Sequence, residues 1–255
     1  MHAPIELADI AAAVLARIRE RRPRVHCVTN TVAQQYTANM LLAAGAVPSM
    51  TAAPEEIAGF VAGADALLVN LGTFDVERRS AIDAALGVLS ARRMPWVLDP
   101  VFIERTPRRA DFARELVARK PTVVRLNHAE FDVLAGHPAS DDALTSYAQA
   151  SAAVIALTGD VDVVAVGEAR TTIANGHPLM GLVTAMGCAG SALICAALAV
   201  EPDARLATIA ALTAFGVAGE VAALAARGPG SFAAAIIDAL HGLDRATLRA
   251  RIRVS

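Results

Sequence analysis

The thirty residues 171–200 contain no Lys, Arg, Asp or Glu. A run that long without charge enters either a bilayer or a protein core. Residues 179–200 are enough to span a membrane. Against spanning, the run is broken by Gly181, Gly187, Gly190 and Ser191 and holds few large aliphatic side chains. The expectation is therefore a buried helix over 189–200, opened by a small-residue turn at 183–188, with no membrane partner. Such a turn leaves free backbone N–H groups facing a cleft. With the helix dipole they make an anion site suited to phosphate. Cys188 stands at that helix start, where a thiol pKa tends to fall. The plainer reading is a tight turn into a core helix with an inert thiol.

Composition agrees with a large buried core. Of 255 residues, 55% are hydrophobic and 19% charged, and the mean hydropathy is +0.46. A chain this apolar must bury surface internally or against copies of itself. A net charge of −2 and a pI near 6.3 give no reason to expect nucleic acid or an anionic membrane as partner. Cys27, Cys188 and Cys195 are odd in number and lack metal-ligand spacing, which suits a reducing cytoplasm better than a disulfide scaffold. Residues 1–10 show no basic region followed by an apolar run, so no signal peptide is expected.

Along the chain, Ile5, Leu7, Ile10, Val14, Leu15 and Ile18 are spaced as one helical face, stopped by Pro23. A strand is expected over 25–28, a helix over 32–44 closed by Gly45, and a strand over 47–50. Pro54 followed by two acids predicts a helix over 54–61. Then come a strand over 65–70, a helix over 76–92 and a strand over 96–98 ended by Asp99-Pro100. A helix over 108–119 and a strand over 122–126 lead to a helix start at 127–130. A helix over 141–150 and a strand over 153–157 follow. Residues 162–166 and 170–173 read as a hairpin about Gly167. Beyond Cys188 the chain reads as mostly helical, with Ala-rich helices over 206–226 and 231–243. No repeat or low-complexity linker intervenes, so 1–255 reads as a single domain. The class is α/β: a central, mostly parallel sheet with helices on both faces.

In such sheets ligands bind beyond the carboxyl ends of the strands. Asn30, Asn70, Asp99, Asn127, Glu130 and Thr158 all fall at those ends. Asp99 and Glu130 suit Mg²⁺, directly or through water, because hard cations take oxygen ligands. Each alone also reads as a helix cap or a solvated acid. Arg125, near a strand end, would reach the same crevice and pair with a phosphate, or else with a neighbouring acid. Thr158-Gly159 offers a hydroxyl and an open backbone, or is an ordinary turn. There is no Gly-x-x-x-x-Gly-Lys-Ser/Thr loop, and no Gly-x-Gly-x-x-Gly after the first strand. The six His residues lack paired metal spacing, and His26 and His128 read as readily structural as functional.

Together these stretches resemble one family. His26-Cys27-Val28-Thr29-Asn30, then residues 37–46 (TANMLLAAGA) and Pro48-Ser49-Met50, resemble the N-terminal signature of the hydroxyethylthiazole kinases, members of the ribokinase-like superfamily. Further matches follow in the family's order at 69–73 (VNLGT), 96–101 (WVLDPV), 120–121 with 125–130 (RLNHAE), 158–162 (TGDVD), 187–188 and 228–232 (GPGSF). The resemblance implies a ribokinase-like fold and phosphorylation of the hydroxyl of 4-methyl-5-(2-hydroxyethyl)thiazole with ATP and Mg²⁺, in thiamine salvage. It implies that Met50 contacts the thiazole, with Asn30, Val32 and Ala185 on the same side. Arg125, Thr158, Asn127 and Gly187 would hold ATP, and Asp99 and Glu130 would serve Mg²⁺. Cys188 would be the catalytic residue, at a position where most ribokinase-like enzymes have an Asp base. The family is trimeric, with substrate sites between subunits, so a homotrimer is implied. Where it has Gly-Thr-Gly-Cys, this chain has Ala185-Met186-Gly187-Cys188. A Cβ added at Ala185, and bulk added with a hydroxyl lost at Met186, predict weakened phosphoryl transfer. The residues alone leave open a kinase for another small alcohol, and a protein of this fold that holds a small heterocycle without turnover.

Overall fold

The computed structural model describes residues 2–255, apart from the side chain of Ser90. Met1, part of the segment read for a leader, lies outside the described residues. Strands and helices alternate through most of the chain. The first helix, α1 (Pro4–Arg21), precedes β1 (Arg24–Val28), α2 (Gln34–Ala44), β2 (Val47–Ser49) and α3 (Ile57–Ala62). Next are β3 (Ala66–Asn70), α4 (Val76–Ser90), β4 (Trp96–Asp99) and α5 (Pro107–Ala118). Then β5 (Val123–Asn127), α6 (His128–Ala135) and α7 (Asp141–Ser151) lead to β6 (Val154–Thr158), β7 (Asp162–Val166) and β8 (Ala169–Ile173). The rest is helical: α8 (Met186–Leu198), α9 (Ala204–Ala225), α10 (Pro229–Gly242) and α11 (Arg245–Arg251).

The strands form one sheet in the order β2-β1-β3-β4-β5-β6-β7-β8. β2 through β6 run parallel, while β7 and β8 turn back as an antiparallel hairpin about Gly167. Side-chain alternation divides the strands between two cores. Val25 and Cys27 of β1 join the core under α1, α2 and α8–α10, whereas Val28, Leu67 and Val69 join the one under α3–α7. Every residue of β3, β4 and β6 is buried, as expected where helices cover both faces.

The charge-free run does not form one long helix. It is divided among β8, a 3₁₀ turn at Pro178–Leu182, and α8. In α8 every residue except Gly187 is buried. α9 is long and apolar enough to cross a membrane, yet 78% of its most apolar window is buried in the protein. It packs on α1, α8 and α10, which makes it a core helix.

Two of the boundaries that differ from expectation do so for local reasons. α8 starts three residues before Ala189, so Cys188 lies inside its first turn. α3 starts at Ile57, because residues 54–56 form a turn in which Glu56 N–H donates to Ala53 O (3.2 Å) and the Glu56 carboxylate accepts from Thr51 Oγ1. The side chain that would favour an early helical turn is thus committed to the preceding loop. α11 was not expected from the sequence.

Candidate active site

The carboxyl ends of β1, β3, β4, β5 and β6 carry the polar residues picked out above, and the amino end of α8 faces them. Asp99, the last residue of β4, is fully buried. Its Oδ2 accepts from Asn70 Nδ2 (2.7 Å) and from Ser191 Oγ (2.8 Å). Its Oδ1 has no partner among the described residues. Burial raises the Asp99 carboxyl above the usual carboxylate range, opposed by the Arg125 charge and the two hydrogen bonds.

Asn70 joins three elements. Its Nδ2 also donates to Cys188 Sγ (3.3 Å), and its Oδ1 accepts from Gly72 N–H (3.0 Å). A Cβ on Gly72 would stand 2.7 Å from Asn30 Cβ and 2.9 Å from Asn70 Oδ1, so only glycine lets this loop close. Asn30 Oδ1 in turn accepts from Thr73 Oγ1 (2.9 Å) and Val32 N–H (3.0 Å).

Of the two readings of Cys188, a thiol of lowered pKa and a buried inert one, the structure forms the second. Its thiol is pushed up to about 12, first by burial and then by the Asp99 carboxylate, against the opposing Arg125 charge and hydrogen bonds from Asn70 and Thr29. At neutral pH Cys188 keeps its proton. The low thiol pKa common at helix starts presumes a solvated sulfur, and this one is buried beside an acid.

Arg125 comes from the middle of β5, and its guanidinium reaches the amino end of α8. A Cβ on Gly187 would lie 2.8 Å from Arg125 Nη1, so this glycine makes room for the cation. Arg125 has no carboxylate within 4.0 Å among the described residues, and its Nε has no partner. The alternative of a close ion pair with a neighbouring acid is not what the structure forms. Beside it, the N–H groups of Met186, Gly187 and Cys188 have no acceptor among the described residues, and Ala185 supplies no side-chain cap. A cation next to open N–H groups is an anion site.

Ala185 enters α8 in the left-handed region (φ 69°), whereas Met186 is helical and its side chain is buried in the larger core. The backbone cost of the altered turn therefore falls on Ala185 alone, at about 1 kcal/mol. Thr73 (φ 51°) and Phe102 (φ 58°) are left-handed too, and both lie just past the sheet ends that carry Asn70 and Asp99. The other such non-glycine residues, Arg22, Lys120 and Ala152, follow the ends of helices. Strain away from helix ends is gathered at this site.

Glu130 is also buried and nearby, but its two oxygens are already engaged. Oε2 accepts from Asn127 N–H (2.9 Å) and Oε1 from Phe102 N–H (3.1 Å). Asn127 Oδ1 accepts from Glu130 N–H (2.9 Å), so the capping alternative raised by the sequence is realised here. Burial, then the Asp99 charge, raises the Glu130 carboxyl. Thr158 ends β6, buried, with its hydroxyl donating to Leu126 O (3.3 Å).

At the far side of the site, Met50 follows β2 at the edge of the sheet and is partly buried against the larger core, while Val32 is 70% exposed. Ser191 was missed as a site residue. Its signal was a hydroxyl in an otherwise apolar helix, one turn past Gly187.

Fold and site together define a ribokinase-like α/β protein. The architecture is shared with a ribokinase-like superfamily protein from Enterococcus faecalis V583, at a TM-score of 0.69 and 13% identity over 91% of this chain and 93% of that one. The chain belongs to the hydroxyethylthiazole kinase family, whose model matches residues 15–246. It is 45% identical over 234 residues to an Agrobacterium fabrum protein named "Probable hydroxyethylthiazole kinase", covering 92% of this chain and 90% of the relative. It superposes on a hydroxyethylthiazole kinase protein from Pyrococcus horikoshii OT3 with a TM-score of 0.92 at 35% identity, over 97% of this chain and 98% of that one.

Proposed function

We propose that this protein is a kinase that transfers phosphate from ATP to the hydroxyl of 4-methyl-5-(2-hydroxyethyl)thiazole, in thiamine salvage in the cytoplasm, with 1–255 acting as one kinase domain. The observation that carries the reading is the convergence of buried Asp99, the guanidinium of Arg125 and the open amino end of α8 in a chain of this family. In this reading Arg125, Thr158, Asn127 and the N–H groups at Gly187 hold the ATP phosphates, since phosphoryl transfer depends chiefly on positioning and charge stabilisation. Asn30, Val32, Met50 and Ala185 hold the thiazole alcohol. Cys188, protonated and hydrogen-bonded by Asn70, lies against the hydroxyl and orients it. The loose transition state of phosphoryl transfer demands little early removal of the alcohol proton, so a protonated thiol does not block the reaction.

The residues fit Mg²⁺ through oxygen donors. Asp99 Oδ1 is a buried carboxylate oxygen without a partner among the described residues. Each Glu130 oxygen accepts one N–H and keeps a lone pair for a water ligand. No group of three or more His, Cys, Asp or Glu suited to a metal occurs among the described residues, so the rest of the shell would be phosphate and water. When bound, the ion neutralises charge on the phosphates.

Incubation with Mg-ATP and hydroxyethylthiazole, followed by mass spectrometry, is expected to show the phosphate ester. Thiazole binding without ester would favour a binding protein of this fold, and ester formation only on other alcohols would redirect the substrate assignment. The Ala185→Gly protein, relieved of the left-handed cost, is expected to turn over at least as fast as the natural one.

A homotrimer is part of the proposal. Val32, Leu42, Val47 and Phe60 are large apolar residues exposed on the elements around edge strand β2, next to the open thiazole side. Light scattering should read three chains, and a stable species of one 26.4 kDa chain would overturn this.

A further inference from the structure

His26 takes no part in the chemistry above, yet it is fully buried on β1 and both ring nitrogens have partners. Nδ1 lies 2.8 Å from Ser49 Oγ and Nε2 lies 3.0 Å from the carbonyl oxygen of Thr51. A carbonyl can only accept, so Nε2 carries the hydrogen, and in the neutral ring Nδ1 accepts from the Ser49 hydroxyl. Burial lowers the pKa of the imidazole, which keeps it neutral near pH 7. The Phe60 ring lies against it, centroids 5.7 Å apart.

The two partners flank Met50. Pairing between β1 and β2 ends at the His26–Ser49 register, and beyond it the chain leaves the sheet. The imidazole continues where the backbone ladder stops, holding the residue before Met50 by its hydroxyl and the residue after it by its carbonyl. Thr51 is held from the other side by its contact with Glu56 and by Ala53 N–H (3.3 Å). Met50 thus sits in a three-residue span whose two ends are fixed by one side chain.

We propose that His26 is a positioning residue for the heterocycle end of the site, setting where the Met50 backbone and side chain meet the thiazole. The proposal rests on the reading of Met50 as a thiazole contact. A misplacement of about 1 Å at a contact residue is enough to cost one to two orders of magnitude.

The test is steady-state kinetics with ATP and hydroxyethylthiazole varied separately. His26→Leu removes both ring hydrogen bonds and is expected to raise KM for the thiazole at least about tenfold, leaving KM for ATP unchanged. His26→Gln, which keeps a donor near the Nε2 position, is expected to recover most of the loss. Ser49→Ala removes one partner without touching the ring and should raise the thiazole KM by a few fold, which keeps the test available if the leucine protein does not fold. A thiazole KM that stays unchanged in every folded variant, or that moves only in step with the ATP KM, overturns the proposal. Met50→Ala in the same assay separates the two claims. If it leaves thiazole KM unchanged, the reading of Met50 fails; if it raises KM while the His26 and Ser49 variants do not, only the role of His26 fails.

Discussion

An Arg125→Leu protein is expected to lose about a hundredfold to a thousandfold in kcat/KM for ATP, the usual effect of removing a preorganised group that stabilises transition-state charge. It is also expected to carry its acid limb to higher pH. The guanidinium lies at the amino end of α8, packed against Gly187, with an unpartnered Nε and no carboxylate close enough to neutralise it. It is therefore available to an anionic ligand. The pH effect follows from the same placement. Burial raises the carboxyls of Asp99, Glu130 and Asp162, and the Arg125 charge opposes the rise in all three. Without that charge each carboxyl holds its proton to a still higher pH, so activity that needs ionised Asp99 is lost sooner as acid is added. Profiles of kcat/KM against pH for the natural and leucine proteins measure both effects. If neither kcat/KM for ATP nor the acid limb moves, Arg125 does not face the substrate.

The second large effect is expected from Asp99→Asn. The amide matches the carboxylate in shape but removes the charge from a fully buried position. One oxygen can still accept from Asn70 and Ser191, as Oδ2 does now, while an amide nitrogen replaces the unpartnered Oδ1. Catalysis should fall by about two to three orders of magnitude, and the Mg²⁺ concentration for half-maximal activity should rise. Thiazole binding should be kept. Stability should not fall, because removing a buried charge lifts a desolvation penalty. Calorimetric titration with the thiazole and a thermal melt accompany the kinetics. A kcat within tenfold of the natural value would show that the orphaned oxygen has no part in transfer.

Much of this site was legible because strand ends are legible. Asp99-Pro100 marks the end of β4 by its chemistry, and Asn70, Asn127 and Thr158 close apolar runs in the same way. Parallel pairing then brings those ends to one edge of the sheet. The hairpin about Gly167 was readable from two short apolar runs around one glycine. Contacts that depend on packing were not readable. Ser191 reaches Asp99 across 92 positions of sequence, and no local spacing announces such a pair. Which of the two readings of Cys188 holds was not readable for the same reason: its place in a helix is local, but the burial and neighbouring acid that set its proton affinity belong to the assembled fold. Glu130 shows the opposite limit. The local capping pattern around it forms as its spacing allows, and its second bond, to Phe102, comes from a loop that the pattern does not mention.

The burial of α9 has a consequence for how the chain comes to be folded. Before the fold closes, Ala204–Ala225 is a segment with the length and apolarity of a membrane span. It becomes a core helix only when covered by α1, from the opposite end of the chain, and by its neighbours α8 and α10. On the ribosome α1 emerges long before the helix that needs it, and until α9 follows, both apolar faces lack their partner. Biosynthesis of this protein therefore passes through an interval in which its stickiest surfaces are uncovered, and holdase chaperones that bind such surfaces would meet it there.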